Sequence, residues 1–201
     1  MKVNEIFFSL QGEGKYIGMP QVFIRTAGCN FRCSWCDTWY SRAYGEEMNV
    51  KEILDEIGKY NVKSVCITGG EPMLHLDDLK KLVRELKNKG YFILLETNGS
   101  LYDKYIFNKV DCVSMDIKPP SSGERSNEIL IKKLKEKDQI KIVIADDTDY
   151  EYAKKIAKKS RISIILQPKG GIKIKELTDR VLKDRLNVRV LPQLHKIINI
   201  K

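Results

Sequence analysis

Short apolar stretches alternate along the chain with longer segments in which apolar residues recur every three or four positions. The short stretches predict β-strands, because apolar and β-branched residues are grouped there between turn-forming residues. They cover residues 3–9, 21–27, 65–68, 92–97, 112–117, 140–144, 162–166 and 188–191. The longer segments are typical of amphipathic helices that bury one face.

Helix starts are predicted from polar residues just before the amphipathic segments, whose side chains can accept hydrogen bonds from free backbone N–H groups. Two of these residues have a glutamate three positions later, which predicts capping boxes at Asn49 with Glu52 and at Thr148 with Glu151. The other predicted starts are at Asp77 or Asp78, at Ser126 and near residue 174.

Strands that alternate with helices predict an α/β fold, in which a parallel sheet is built through right-handed crossovers. About six β/α units fit into the chain, so we expect an incomplete, trimmed (βα) barrel with a parallel sheet of about six strands. The length predicts a single domain over residues 1–201. In barrels the chemistry lies at the carboxyl ends of the strands, so polar residues that follow predicted strands are the first site candidates.

The composition is that of an ordinary globular protein, with 42% apolar and 31% charged residues. No apolar run is long enough to cross a bilayer and no basic, apolar leader opens the chain, so we expect a cytoplasmic protein without a membrane partner. A net charge of +9 could indicate nucleic-acid binding. However, the lysines lie on predicted helix faces beside acidic residues, so we expect a small acidic substrate and no nucleic acid.

Three cysteines, Cys29, Cys33 and Cys36, share one short segment. Thiolates this close repel one another unless zinc, an iron–sulfur cluster or a disulfide joins them. A structural zinc site needs a fourth ligand that is hard to find, because Cys66 and Cys112 lie in apolar strands and are expected to be inert. A cluster bound by three thiolates leaves one iron open for chemistry. The spacing therefore favours a cluster, with a zinc site or a redox pair as alternatives.

The spacing of three and then two residues between these cysteines, with Trp35 before the third, resembles the cluster motif of the radical S-adenosylmethionine (SAM) superfamily. A second segment, from Thr68 to Pro72, resembles the superfamily's GGEP motif. The resemblance implies that the three cysteines are the catalytic residues that hold a [4Fe–4S] cluster. Its open iron would bind SAM, which is cleaved to a 5′-deoxyadenosyl radical, while the glycine backbone and Glu71 approach the SAM amino group.

Further segments are similar to the 7-carboxy-7-deazaguanine synthase family of this superfamily, and they run almost end to end. They are residues 7–14, Arg25, and residues 36–38, 114–119, 167–169 and 192–196. The resemblance implies ring contraction of 6-carboxy-5,6,7,8-tetrahydropterin to 7-carboxy-7-deazaguanine with loss of ammonia, on the route to queuosine or archaeosine. SAM would act as a recycled cofactor.

The resemblance also implies roles for single residues. Substrate contacts are expected at Leu10, Gln11, Gly12, Glu13, Arg25, Thr68 and His195. SAM contacts are expected at Trp35, Asp37, Gly69, Gly70, Glu71, Asn98, Ser114, Asp116, Lys118 and Gln167. Arg25 would fork onto the pterin carboxylate, and the Thr38 hydroxyl would ligate Mg2+, a cation that prefers oxygen. Simpler roles are an ion pair across the sheet for Arg25, a cap or turn for Thr38 and packing for His195.

The family resemblance further implies a flavodoxin- or ferredoxin-like electron donor and a homodimer. Two other functions stay open. A glycyl-radical activating enzyme has a similar cysteine loop but acts on a protein backbone. A basic zinc-knuckle RNA-binding protein would use the cysteines for zinc, and its metal would be colourless where a cluster is brown.

Overall fold

The structure is a computed structural model that describes residues 1–171 and 173–201. Within these residues nine strands form one sheet in the order β3-β1-β2-β4-β5-β6-β7-β8-β9. The strands are β1 (Lys2–Leu10), β2 (Pro20–Thr26), β3 (Glu46–Glu47), β4 (Ser64–Gly69), β5 (Phe92–Thr97), β6 (Cys112–Asp116), β7 (Gln139–Ile144), β8 (Ser163–Pro168) and β9 (Arg189–Val190). Neighbours from β2 to β9 are parallel, whereas β1 is antiparallel to both β2 and β3.

Helices connect the parallel strands. The α-helices are α1 (Val50–Gly58), α2 (Leu76–Asn88), α3 (Lys104–Lys109), α4 (Asp147–Lys159), α5 (Ile174–Lys183) and α6 (Leu194–Ile197). Short 3₁₀ helices lie at Gly14–Tyr16, Trp39–Arg42, Pro72–His75, Pro120–Ser122, Glu128–Lys133 and Lys169–Gly171. None of the helices in the described part of the chain has the length and apolar character needed to cross a membrane.

The predicted α/β class and the open, mostly parallel sheet are confirmed, but the predicted count of about six strands is wrong, because the described residues form nine. Part of the difference is an antiparallel hairpin, β1 with β2, which lies outside the repeating β/α pattern. The edge strands β3 and β9 have only two residues each. Strands that short carry no periodic pattern from which a sequence could predict them.

The capping box at α1 is confirmed, because Asn49 Oδ1 accepts from the Glu52 backbone N–H at 3.0 Å and a Glu52 oxygen accepts from the Asn49 N–H at 2.7 Å. The box predicted at Thr148 is wrong. The cap of helix α4 lies two residues earlier, at Asp146, which accepts from the Asp149 N–H at 2.9 Å. Aspartate and threonine both cap well, so composition alone could not choose between these two nearby candidates.

Two other predicted starts also differ. Helix α2 continues directly from the 3₁₀ turn that ends at His75, so Asp77 and Asp78 lie in its first turn and not at its cap. The segment after Ser126 is a 3₁₀ helix capped by Asn127. Ser126 instead donates to the Asn98 carbonyl at 2.8 Å, which fixes the loop after β5.

The two faces of the sheet differ. The outer face packs against the helices and contains most of the buried aliphatic side chains. The inner face carries a small apolar cluster of Phe23, Cys66, Leu94 and Cys112, in which both cysteines are fully buried. These cysteines lie inside strands and pack among apolar side chains.

The inner face turns polar towards the carboxyl ends of the strands. Side chains two positions apart along a strand share a face, so the residues after the apolar cluster are also directed inward. They are Arg25, Thr68, Glu96, Ser114 and Asp116, together with Lys141 on the neighbouring strand. The sheet curves enough for the loop between β1 and β2 to reach β7, where the Lys15 N–H donates to Gln139 Oε1 at 2.8 Å. The polar side chains therefore surround a common space.

Candidate active site

A cavity of about 510 Å³ opens at the carboxyl ends of the strands. It is lined by eighteen of the predicted site residues: Leu10, Gln11, Gly12, Glu13, Arg25, Cys29, Cys33, Trp35, Cys36, Asp37, Thr38, Thr68, Gly69, Gly70, Asn98, Asp116, Lys118 and His195. Three predicted residues, Glu71, Ser114 and Gln167, are not part of its lining. The loops after β2, β4, β5 and β6 thus bring together residues that are far apart in sequence.

The cysteine segment follows β2 and forms one wall of the cavity. Cys29, Cys33 and Cys36 are free, half-buried thiols. Among the described residues, no three His, Cys, Asp or Glu side chains are close enough to ligate one metal ion. A single zinc ion needs all its ligands within about 2.3 Å, whereas in an iron–sulfur cluster each thiolate binds a different iron. The donor set therefore fits a cluster better than a zinc ion.

Burial raises the pKa of the Cys29 and Cys33 thiols. These side chains are therefore protonated at neutral pH in the absence of iron, and cluster binding releases their protons. Arg42 Nη2 donates to the Cys33 carbonyl at 3.3 Å and adds a cation beside the thiols. The Phe31 N–H donates to Cys29 Sγ at 3.4 Å. The segment thus supplies both charge and hydrogen bonds for thiolates.

The segment after β6 supports the cysteine loop from the other side. Trp35 Nε1 donates to Ser121 Oγ at 3.0 Å, and the Ser34 N–H donates to the Ser122 carbonyl at 2.9 Å. Ser121 is itself held by Asp149 at the start of α4, with its hydroxyl donating at 2.6 Å. The orientation of Trp35 therefore depends on α4 as well as on its own loop.

The Gly-Gly-Glu segment after β4 packs directly against the start of the cysteine loop. The Gly70 N–H donates to the Thr26 carbonyl at 3.0 Å, and the Glu71 N–H donates to the Gly28 carbonyl at 2.8 Å. A Cβ atom on Gly70 would lie 1.9 Å from the Gly28 oxygen. Only glycine allows this approach, so the two motifs are in direct contact through their backbones.

The Glu71 carboxylate is fully buried and accepts three hydrogen bonds. One oxygen accepts from the Met73 N–H at 3.0 Å and from Thr97 Oγ1 at 2.8 Å. The other accepts from the Asn98 N–H at 2.7 Å. Burial raises the pKa of Glu71, although these hydrogen bonds oppose the rise. Glu71 therefore acts as a brace, because its carboxylate connects the loop after β4 to the loop after β5 through hydrogen bonds.

Asn98 lies between that brace and the cysteine loop. Its Nδ2 donates to Asn30 Oδ1 at 3.0 Å and lies 3.9 Å from Cys29 Sγ. Its Oδ1 accepts from the Ser100 N–H at 2.9 Å. Glu71 therefore sets the position of a side chain that touches the first cysteine.

Asp116 and Lys118 form a charged pair on the opposite wall. Lys118 Nζ lies 2.9 Å from Asp116 Oδ2 and 5.3 Å from the centre of the Trp35 indole. Burial lowers the pKa of Lys118, whereas anionic neighbours, above all the Asp116 carboxylate, raise it, and the net shift is upward. Asp116 Oδ1 is buried and has no hydrogen-bond partner among the described residues. A buried carboxylate oxygen of this kind is ready to accept a hydrogen bond from a ligand.

Arg25 lies near the outer end of the cavity, beside β1. Its Nε donates to Glu5 at 2.7 Å, so the predicted ion pair across the sheet is present. The guanidinium also lies 5.5 Å from the centre of the Phe7 ring. Glu5 accepts from Tyr40 at 3.1 Å and pairs with Lys201. In the described residues the terminal nitrogens of Arg25 have no protein partner, which leaves its fork open to the cavity.

Gln11, Thr68 and Glu96 form a connected polar group on the inner face. Thr68 Oγ1 donates to Glu96 at 3.0 Å, and Gln11 Nε2 lies 3.5 Å from the other Glu96 oxygen. Gln11 Nε2 also donates to Gln21 at 3.2 Å. These side chains offer both hydrogen-bond donors and acceptors to the edge of a flat heterocycle.

Residues near the C-terminus cover the far side of the cavity. The Leu194 N–H donates to the Gly12 carbonyl at 2.9 Å. A Cβ on Gly12 would lie 2.3 Å from His195 Nδ1, so glycine is needed for this contact. His195 Nε2 lies 3.9 Å and Lys196 Nζ 2.9 Å from Asp37 Oδ2. These two neighbours hold the pKa of Asp37 far below its usual range, against the effect of burial.

Thr38 precedes the 3₁₀ helix Trp39–Arg42, but its hydroxyl makes no capping hydrogen bond within the described chain. The Thr38 carbonyl accepts from Ser41, whose hydroxyl donates at 2.7 Å. Thr38 Oγ1 lies 3.8 Å from Cys36 Sγ. A cap or turn role thus uses the backbone of Thr38 and leaves its side-chain oxygen at the cavity.

Ser114 and Gln167 lie beneath the cavity and do not line it. Ser114 Oγ accepts from Gln139 Nε2 at 2.7 Å. Gln167 Nε2 donates to the Pro192 carbonyl at 2.9 Å, while its Oε1 is buried without a partner among the described residues. Both side chains fix neighbouring elements in this structure.

Sequence reasoning missed four polar residues with prominent contacts at the site: Glu5, Glu96, Lys141 and Gln193. Glu96 and Lys141 did carry a signal, because each is the single charged residue in an otherwise apolar strand. Parallel strands covered on both faces tolerate such a charge only where it has a partner.

Residues 23–145 match the family model of the Radical SAM superfamily. The chain is 40% identical to a 7-carboxy-7-deazaguanine synthase of Thermoplasma acidophilum, covering 98% of this chain and 97% of that one. It is 41% identical to the synthase of Methanospirillum hungatei JF-1, over 100% of this chain and 86% of the relative. The crystal structure of QueE from Escherichia coli matches with a TM-score of 0.71 at 24% identity, over 95% and 93% of the two chains, and supports the fold.

Replacement of Glu71 by glutamine tests the brace. The amide nitrogen would face a backbone or hydroxyl donor, so we expect Glu71→Gln to lower the free energy of unfolding by about 1–3 kcal/mol. The measurement is urea denaturation of the cluster-free protein. Glu56→Gln, at an exposed pair with Lys59, is the matched control and is expected to change little. Equal stability of the two variants would contradict the bracing role.

Proposed function

The chain belongs to the 7-carboxy-7-deazaguanine synthase family of the radical SAM superfamily, and from this membership we propose its reaction, its ligands and the roles of its residues. It is a radical SAM lyase of 7-deazapurine biosynthesis that contracts the ring of 6-carboxy-5,6,7,8-tetrahydropterin to 7-carboxy-7-deazaguanine. The atoms balance when one ammonia leaves. The observation that carries the proposal is the match over nearly the whole length to relatives bearing this name.

Radical SAM proteins use a [4Fe–4S] cluster and SAM. Cys29, Cys33 and Cys36 would hold the cluster and leave one iron for the SAM amino and carboxylate groups. When bound, cluster and SAM supply a carbon-centred radical that can remove a hydrogen atom from the substrate. The backbone at Gly69 and Gly70 lies against the cysteine loop, which supports a role for it in binding the methionine part of SAM.

The opposite wall would bind the rest of SAM. Asp116 Oδ1 is an acceptor without a protein partner in the described chain, and ribose hydroxyls are donors of the kind it lacks. Trp35 offers an aromatic surface next to the Lys118 ammonium. Asn98 and Asp37 also line the cavity. Glu71, Ser114 and Gln167 would act on SAM indirectly, through the elements that they hold.

The pterin would bind at the other end of the cavity, with its carboxylate on Arg25. Glu5 holds Nε of the guanidinium, so the two terminal nitrogens can meet both oxygens of a carboxylate. Gln11, Thr68 and Glu96 supply donors and acceptors for the ring edge. Leu10 and Gly12 line the same end, and His195 covers it. In this arrangement the substrate would share one cavity with the cysteine wall.

We also propose a magnesium ion on Thr38, completed by substrate and water oxygens. Mg2+ keeps several waters and commonly takes only one or two protein ligands. The Thr38 hydroxyl lines the cavity and makes no capping bond within the described residues, which supports its availability. The ion would hold the pterin oxygens while the ring rearranges.

The remaining proposals concern partners. A flavodoxin- or ferredoxin-like protein would reduce the cluster, and the exposed Trp39 and Tyr44 beside the cysteine loop offer it a contact surface.

A homodimer is supported by the outer edge of β1, which β3 pairs only at Lys2 and Val3 in the described residues. We infer no nucleic-acid partner, since the cavity cations pair with carboxylates. One sheet that runs from β1 to β9 supports a single radical SAM domain over residues 1–201.

Anaerobic reconstitution tests the function. Wild-type enzyme supplied with SAM, a reductant and the carboxypterin is expected to form 7-carboxy-7-deazaguanine and ammonia in equal amounts, measured by mass spectrometry and an ammonia assay. Cys29→Ala, Cys33→Ala and Cys36→Ala should form none. Cys112→Ala is the matched control, because its thiol packs in the inner apolar cluster and its loss costs only about 1 kcal/mol. Product from the three cysteine-loop variants would refute the radical mechanism.

The role of Arg25 is tested with Arg25→Lys. Lysine keeps the charge but cannot fork onto a carboxylate, so we expect the substrate to bind more weakly by about 2–5 kcal/mol. SAM cleavage without substrate should persist. Substrate affinity is measured by steady-state kinetics, with Arg84→Lys on the exposed face of α2 as a control. An affinity equal to that of the wild type would exclude the contact.

Magnesium dependence tests Thr38. We expect Mg2+ to stimulate the wild type, Thr38→Ala to keep its cluster and SAM binding but lose most of the stimulation, and Thr38→Ser to keep part of it. A cap residue would instead change stability by about 0.5–2 kcal/mol without altering the response to metal. Rates are measured against Mg2+ concentration for the three proteins. Equal stimulation of all three would place the ion elsewhere.

A further inference from the structure

A buried lysine lines the cavity between the two halves of the proposed site. Lys141 extends from β7, and its side chain is only 6% exposed. It forms an ion pair with Glu13 from the loop between β1 and β2. Its Nζ also lies 3.6 Å from Asp116 Oδ2 on β6. One cation therefore contacts a residue of the proposed substrate loop and a residue of the proposed SAM wall.

The register of the sheet explains this position. Asp116 and Lys141 are direct partners in the β6–β7 ladder, so their side chains share the inner face. Burying an ammonium is costly unless carboxylates neutralise it. Burial alone would lower the pKa of Lys141, but Glu13, Glu96 and Asp116 raise it well above its ordinary value. Lys141 therefore stays charged and needs these partners.

On the substrate side, Lys141 fixes the loop through Glu13. The second Glu13 oxygen accepts from Gln193 Nε2 at 2.6 Å, so the carboxylate is held from β7 and from the C-terminal segment. The Glu13 N–H donates to Gln11 Oε1 at 3.0 Å, which couples the carboxylate to the Gln11 side chain. With both oxygens engaged by the protein, Glu13 orients its neighbours.

On the SAM side, Lys141 acts on Asp116. Lys118 and Lys141 both lie near Asp116 Oδ2, at 2.9 and 3.6 Å. The carboxylate is thereby turned so that Oδ1, which has no partner among the described residues, is left for a ligand. Without Lys141, the carboxylate could rotate towards Lys118 and present either oxygen.

We propose that Lys141 is a positioning residue that sets both ligand sites at once, the pterin loop through Glu13 and the SAM-facing carboxylate through Asp116. The inference rests on the proposed function, because it names what these two sites bind. It assigns Glu13 an indirect role, since the carboxylate orients the loop and Gln11 meets the substrate.

Four variants separate the effect of Lys141 on the pterin loop from its effect on the SAM site. Lys141→Met removes the charge at similar length, and Lys141→Arg keeps it. Glu13→Gln and the Glu13→Gln/Lys141→Met pair complete a double-mutant cycle. Lys87→Met is the control, because Lys87 pairs with Asp111 at the opposite end of the sheet. Iron content and thermal stability are measured for every protein.

Two measurements follow. For the pterin, we expect KM to rise about 10- to 100-fold in both Lys141→Met and Glu13→Gln, with no further rise in the pair and partial recovery in Lys141→Arg. For SAM, equilibrium dialysis on reconstituted enzyme should show weaker binding in Lys141→Met and unchanged binding in Glu13→Gln. A residue that only stabilised the fold would lower the melting temperature and move neither value selectively.

Amide hydrogen exchange of residues 10–16 in the cluster-free protein is a test that does not depend on turnover. We expect faster exchange in Lys141→Met and Glu13→Gln than in wild type and Lys87→Met. Unchanged amide exchange and unchanged KM in Glu13→Gln would overturn the proposal even if Lys141→Met failed to fold. A rise of KM in the double variant equal to the product of the two single rises would also overturn it. If the wild type formed no product, the proposed function would be wrong. Amide hydrogen exchange and SAM binding would still test the role of Lys141, because neither depends on turnover.

Discussion

The inner face of the sheet changes from apolar to polar or charged within a few residues along the strands. Phe23 and Leu94 belong to the apolar cluster, while Arg25 and Glu96 lie one step further on the same face. Charges placed so close to a core are stable only when they neutralise one another. The pairs that result, such as Lys141 with Glu13 and Lys118 with Asp116, are also the groups that surround the cavity. Under the proposed function, stability and ligand binding would depend on the same ion pairs.

A second constraint is the contact between the two motif loops. Gly70 lies so close to the Gly28 carbonyl that no side chain would fit. Glu71 then continues the connection to the loop after β5 by accepting from Thr97 and from the Asn98 backbone. The cysteine loop, the glycine segment and Asn98 are therefore joined by hydrogen bonds into one wall of the cavity.

The sequence predicted the parts of the site that have their own local pattern. Cysteine spacing, paired glycines and the polar residues after strands all pointed to one end of the sheet, and the cavity lies there. It did not predict pairings between distant segments. Lys141 was visible only as one charge within an apolar strand, and its partner Glu13 lies more than a hundred residues earlier. The two-residue edge strands and the choice of Asp146 as the cap of α4 also depend on tertiary packing.

We propose that one cavity holds SAM against the cysteine wall and the pterin against the loop between β1 and β2. An anaerobic crystal structure of the reconstituted enzyme with SAM and the carboxypterin would test this arrangement. We expect a cluster on the three cysteines, SAM between the Gly70 backbone and Asp116, and the pterin carboxylate on the terminal nitrogens of Arg25. A pterin bound outside the cavity, or SAM remote from the cysteines, would contradict it.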